Sequence, residues 1–149
     1  RASAAYNLVM IEIILVDSPL GRGRGGLVRK VASLASRYEK KIRGVVEVMI
    51  VGDKKIKELN TQYRGKNKVT DVLSFSWLED GAGEGRFLGQ VYICYPQIVR
   101  QAREYKISAK EEFARMLAHG LLHLVGHDHV KAEEAEKMFA LQERIVKLS

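Results

Sequence analysis

Short apolar runs alternate along the chain with longer segments whose apolar residues recur every three or four positions. MIEIILV (10–16) is β-branched, short and closed by Asp17-Ser18-Pro19, which predicts a strand. GRGRGG (21–26) reads as a flexible basic loop. Leu27, Val28, Val31, Leu34, Ala35 and Tyr38 then make one helical stripe, and Gly44 ends that unit. VVEVMIV (45–51) predicts a second, buried strand. Asp53 is placed to N-cap a helix whose apolar positions include Ile56, Leu59 and Tyr63. After the polar loop RGKNK (64–68), DVLSFSW (71–77) alternates as a strand and FLGQVYICY (87–95) returns as another. The glycine-rich EDGAGEG (79–85) between them predicts a hairpin with a long tip.

From Pro96 onward the pattern is helical. Pro96 suits a first helical position, and Ile98, Val99, Ala102 and Tyr105 form a face. Ser108 with Glu111 three residues on is a capping box for a helix running to Gly126. A last helix, about 132–147, places Ala135, Met138, Phe139, Gln142, Ile145 and Val146 on one stripe. The order β-α-β-α-β-β-α-α-α predicts an α+β fold, with helices packed on a mixed four-stranded sheet. Its 149 residues fit one domain, 1–149, with no linker or repeat.

Composition narrows the partners. Lys plus Arg is 25 against 18 for Asp plus Glu, a net charge of +7. That charge suits a polyanionic partner, although a lysine-rich solvated surface explains composition equally well. The one cysteine, Cys94, lies in an apolar run and reads as a small buried hydrophobe, so no disulfide framework forms. Glu12 breaks the only signal-like apolar start, and no run is long enough for a membrane span. The expectation is a cytoplasmic protein with no membrane partner.

The chemistry concentrates in HGLLHLVGHDH (119–129), which holds all four histidines. His119 and His123 are one helical turn apart on one face. Gly126 lets the chain turn back, so that His129 reaches the same ion. Three neutral imidazoles leave a fourth position open, which is the catalytic pattern of zinc. One zinc ion is therefore expected, with other divalent transition metals suiting imidazole as well. Asp128 and His127 are candidates to back the ligands by hydrogen bonding. The spacing matches the metal helix of metzincin proteases, but Gly120 stands where their glutamate would be. A peptidase uses that carboxylate to move a proton from water to the leaving amine, and glycine cannot do so.

A second stretch, LNTQYRGKNKVTDVLSF (59–75), carries Arg64, Lys66 and Lys68, with Lys54 and Lys55 upstream. Arginine suits bidentate phosphate binding, although a solvated basic loop is the commoner meaning of such a run. Tyr63 and Trp77 could stack on bases if exposed, but burial is the expected fate of both.

Together these stretches resemble the YbeY family of rRNA maturation factors. HGLLHLVGHDH is similar to that family's H-G-x-L-H-L-x-G-Y-D-H, and residues 59–75 to its Y-R-G-K-D-x-P-T-D-V-L-S-F. FLGQVYIC (87–94) is similar to its L-G-D-I-x-I-C strand. The chain departs from the pattern at His127 for tyrosine, Asn67 for aspartate, Val69 and Ser76 for prolines, and Gln90 for aspartate.

The resemblance implies a metal-dependent endoribonuclease specific for single-stranded RNA, acting in small-subunit rRNA 3′-end maturation and ribosome quality control. It implies zinc ligation by His119, His123 and His129, and a functional Arg64. Lys54, Lys55, Lys66 and Lys68 are the expected RNA contacts. Small-subunit rRNA, the ribosome, ribosomal proteins or an Era-type GTPase are the expected partners. Two rival readings are a zinc peptidase without its usual glutamate and a non-enzymatic ribosome assembly factor with a structural metal.

Overall fold

Valine and isoleucine fill the predicted strands because a branched side chain packs well on a pleated, half-buried surface. The computed structural model describes residues 11–78 and 86–149. Met10, the first residue of the expected first strand, and the expected hairpin tip at 79–85 lie outside the described residues.

The elements are β1 (Ile11–Leu15), a 3-10 turn (Pro19–Gly21), α1 (Gly25–Tyr38), β2 (Gly44–Val51), α2 (Asp53–Arg64) and β3 (Val72–Ser76). They continue with β4 (Phe87–Cys94), α3 (Tyr95–Tyr105), α4 (Ala109–Leu124) and α5 (Ala132–Leu148). The α+β architecture, the element order and the mixed four-stranded sheet are as the sequence predicts. The sheet runs β1-β2-β4-β3. The first three of these strands are parallel, and β3 pairs antiparallel with β4 at one edge.

Alternation along the strands sends residues to two unequal cores. Val46, Val48 and Ile50 of β2, with Val91 and Ile93 of β4, face a large cluster built by α1, α4 and α5. Leu117, Leu121 and Leu122 of α4 are fully buried in it. Truncating one of them to alanine costs about 2–5 kcal/mol at such sites. The opposite face holds a smaller cluster, in which Ile56 and Leu59 of α2 meet Leu73 and Cys94. Cys94 is buried as expected, and burial pushes its thiol up to about 11.

Several local expectations are corrected. Asp53 does not cap α2: it is the first helical residue, after Gly52, and its carboxylate pairs with Arg100 at 2.7 and 3.2 Å. A guanidinium offers that carboxylate stronger, charge-assisted hydrogen bonds than the helix N–H groups do. Half of the expected GRGRGG loop lies in regular elements, since the 3-10 turn ends at Gly21 and α1 begins at Gly25. Pro96 is the second rather than the first residue of α3. Ser108 accepts the Glu111 N–H at 3.0 Å, but the Glu111 side chain turns to Arg115, so half of the capping box forms. On α5, Met138, Gln142 and Ile145 are buried while Phe139 is exposed.

Candidate metal centre

Helix α4 brings the histidines to the sheet edge because β3 clips it there. Ser74 Oγ donates to the Gly120 carbonyl at 3.1 Å and Ser76 Oγ to the Leu124 carbonyl at 2.9 Å. Gly120 faces this contact: a Cβ there would lie 2.9 Å from Val91 Cγ1, 3.0 Å from Ser74 Oγ and 3.3 Å from Val72 Cγ2. The missing glutamate therefore has a packing cause, since any side chain at this position presses on Val91, Ser74 and Val72 and forces them to shift.

The helix then ends in a Schellman turn. Gly126 takes φ +96, the Gly126 N–H reaches the His123 carbonyl at 3.1 Å, and the His127 N–H reaches the Leu122 carbonyl at 3.1 Å. Asp128 Oδ1 accepts the N–H groups of His129 at 2.7 Å and Val130 at 3.3 Å. Asp128 thus fixes the backbone that carries His129, rather than backing a ligand ring. The His127 ring turns away from the cluster: its Nε2 lies 2.5 Å from Glu39 Oε2 and ties this turn to the end of α1, while its backbone hydrogen-bonds the His123 ring.

The turn folds His129 back over α4. One nitrogen from each of His119, His123 and His129 lies within 4.8 Å of the others. The Nε2 atoms of His119 and His123 are 3.0 Å apart. A tetrahedral zinc ion at its usual bond lengths spaces imidazole nitrogens about 3.3 Å apart, a spacing this cluster brackets. Burial holds the pKa of His119 and of His123 below the ordinary histidine value, outweighing the Gln142 hydrogen bond at His119. Both rings are therefore neutral, as a metal requires. The residues fit a single divalent ion.

A polar chain behind the centre fixes one tautomer. His119 Nδ1 lies 2.7 Å from Gln142 Oε1, and Gln142 Nε2 donates to Glu143 Oε2 at 3.1 Å. A carboxylate only accepts, so the Gln142 amide must point its nitrogen at Glu143 and its oxygen at His119. His119 then carries its proton on Nδ1 and turns the Nε2 lone pair toward the cluster. Arg115 grips Glu143 with two bonds of 2.9 Å and reaches the buried Glu112 at 3.1 Å. Gln101 Nε2 bridges Glu112 at 2.8 Å and Asp71 at 3.2 Å. The apolar stripe of α5 predicts burial for Gln142 but no role. A polar residue among apolar stripe positions was the available signal.

The three histidines open onto a cleft of about 520 Å³, whose other lining includes Asn60, Arg64, Lys66, Lys68, Asp71, Ser74 and Ser76. Asp71 is the one carboxylate among the described residues lining it. Arg64 is held at the rim: Nη2 donates to the Ser74 carbonyl at 2.8 Å, and the guanidinium lies 4.9 Å from the Phe75 ring centroid. The basic loop is pinned from below. The buried Asn60 donates Nδ2 to the Lys68 carbonyl at 2.9 Å, and the Lys66 N–H reaches the Asn60 carbonyl at 3.1 Å. The structure thus unites Arg64, Lys66 and Lys68 with the histidines. Lys54 and Lys55 stand exposed in the first turn of α2, about 15 Å along the helix from Arg64 at the helical rise per residue, and do not line the cleft. Phe139, exposed beside the centre, stacks on His119 and His129 at centroid distances of 6.4 and 6.1 Å.

Fold and site together define an α+β protein with a three-histidine centre on a helix and its following turn, facing a basic cleft. The chain belongs to the endoribonuclease YbeY family, whose model matches residues 25–149. It is 37% identical over 149 residues to the endoribonuclease YbeY of Halalkalibacterium halodurans, covering 93% of this chain and 94% of that protein. It is 47% identical over 103 residues to that of Thermodesulfovibrio yellowstonii, covering 68% of this chain and 65% of the relative, just under two thirds of its length. The solution structure of TM1509 from Thermotoga maritima superposes with a TM-score of 0.64 at 31% identity, covering 93% of this chain and 87% of that one. No helix among the described residues is long and apolar enough to cross a membrane.

Proposed function

We propose that this chain, working as one domain over 1–149, is a metal-dependent endoribonuclease that cleaves single-stranded RNA. Its proposed task is small-subunit rRNA 3′-end maturation and ribosome quality control in the cytoplasm. The observation that carries the reading is one cleft holding three convergent histidines together with Arg64, Lys66 and Lys68. Membership of the endoribonuclease YbeY family supports it.

His119, His123 and His129 hold one ion, with zinc the first choice for three imidazoles. A divalent ion bound there supplies Lewis-acid polarisation of a phosphate oxygen. Arg64, already oriented by Ser74 and Phe75, neutralises charge that develops on the phosphate. Lys66 and Lys68 hold neighbouring phosphates, so binding weakens steeply with salt. Gln142 keeps the His119 Nε2 lone pair facing the ion.

Proton transfer falls to Asp71. Its carboxylate lines the cleft, and its Oδ2 is steered by Gln101 and its Oδ1 by the Val72 N–H at 2.7 Å. It takes the proton of the attacking hydroxyl as the new P–O bond forms, and the P–O bond to the leaving oxygen breaks as that oxygen takes a proton from water in the open cleft. The crowding at Gly120 disfavours the peptidase alternative, because the carboxylate that chemistry uses cannot be housed there. Cleavage of a single-stranded rRNA fragment by the purified protein, with and without chelator, tests the proposal.

A further inference from the structure

Aromatic residues of this size are ordinarily buried, and the sequence predicts burial for Tyr63 and Trp77. The structure places both in solvent, at 56% and 61% exposure. They flank β3, the edge strand that walls the cleft. Ser74 and Ser76 of β3 point into the cleft, so by alternation Phe75, and Trp77 just past the strand, point to its other side.

There the rings stand in two fixed groups along β3. Tyr63 meets Phe75 edge-on at 5.2 Å. Trp77 meets Phe87 at 5.6 Å, and its indole N–H donates to Gln90 Oε1 at 3.3 Å. Gln90 in turn donates to Glu47 at 3.1 Å, which puts a carboxylate on the β2 side of the rings and leaves the β3 side for an anionic chain. Arg64 joins the two sides, because it lines the cleft and also lies over Phe75.

We infer that Tyr63 and Trp77 are a stacking platform for unpaired RNA bases, loaded by a strand that crosses the β3 edge at Arg64 on leaving the metal cleft. This rests on RNA being the substrate. Stacking tolerates any base, since every base has a π-face, but it requires that the base be unpaired. The platform thus supplies a preference for single strands that phosphate contacts from Lys66 and Lys68 cannot. The adjoining cations and the continuity with the cleft favour RNA over a protein partner.

Trp77 is the only tryptophan, so it reports directly on the platform. The test uses the full chain in chelator, where binding is read without cleavage. The probes are a short single-stranded RNA, an abasic ribose-phosphate chain of the same length, and an RNA duplex. Single-stranded RNA quenches Trp77 emission, whereas the abasic chain and the duplex do not. Tyr63→Ala weakens single-strand binding roughly five- to 150-fold with the salt slope unchanged. Tyr63→Phe, which keeps the ring, binds as wild type.

The inference is overturned if the abasic chain binds as tightly as RNA, if the duplex quenches equally, or if Tyr63→Ala binds as wild type. Unchanged emission with every nucleic acid also overturns it and leaves the aromatic face to a protein partner. If RNA is bound and cleaved but these tests fail, only the platform is lost. If RNA is neither bound nor cleaved, the proposed function falls with it.

Discussion

A Cβ added to Gly120 would sit 2.9 Å from Val91 Cγ1, on the side of α4 that packs against the sheet. The position that carries the base in a metzincin peptidase is here pressed into β3 and β4. Gly120→Ala forces Val91, Ser74 and Val72 to shift and costs about 1–3 kcal/mol, the usual range for overpacking. Gly120→Glu is worse, because it also buries a carboxylate with no cationic partner among these contacts. Denaturant midpoints check the order wild type, alanine, glutamate, and a peptide-library digest checks that the glutamate variant gains no peptidase activity.

Gln142 acts through His119. Gln142→Leu removes the acceptor for the Nδ1 proton and leaves the ring free to choose the wrong tautomer. Loss of such a backing group lowers metal affinity about 10- to 100-fold. Competition with a zinc chelator measures this, and an unchanged affinity contradicts the role. Gln142→Glu keeps an oxygen acceptor and retains more affinity than the leucine variant, although it sets a second carboxylate against Glu143.

Asp71→Asn keeps an oxygen for the Val72 N–H and removes the base. The predicted result is a kcat reduced by about 10²–10⁴, the usual contribution of a positioned general base, with KM and metal content unchanged. A raised KM with kcat intact assigns Asp71 to binding instead.

Below neutral pH the dependence of stability on pH has one sign. Burial lowers the pKa of His119 and His123, Arg115 lowers that of Glu143, and Arg100 lowers that of Asp53. For each group the unfolded chain takes up protons first as pH falls. The histidine contributions are complete above about pH 7 and fade below about pH 6.5, and the carboxylate contributions fade below about pH 4. Thermal melts of the metal-free protein should therefore show a midpoint that falls in two stages on acidification. A midpoint that rises between neutral pH and pH 5 contradicts the burial of the neutral histidines.

Much of this was legible in the sequence because it depends on local pattern. The strands follow from branched runs, and the convergence of three histidines follows from His119 and His123 one turn apart with Gly126 before His129. What escaped depends on partners distant in the chain. Asp53 reads as a cap until Arg100, on α3, outbids the helix N–H groups for its carboxylate. Tyr63 and Trp77 read as core until β3 proves to be an edge strand, with no further strand beside it among the described residues. His127 reads as a side chain that backs a ligand histidine, but the Schellman turn rotates its ring toward Glu39. Gly120 reads as a missing base, and only the approach of Val91 and Ser74 shows what the glycine is for.

The three histidines and Arg64 are proposed to make one RNA-cleaving site. The direct measurement is cleavage of a single-stranded small-subunit rRNA 3′ fragment by zinc-loaded protein, wild type against His123→Ala and Arg64→Ala, with analysis of the product ends. The expected result is cleavage by wild type, its loss in chelator, and a drop of about 10²-fold or more for each variant. A 2′,3′-cyclic phosphate would identify the RNA 2′-hydroxyl as the attacking group. Cleavage by both variants at the wild-type rate, or cleavage indifferent to chelator, would contradict the assigned site.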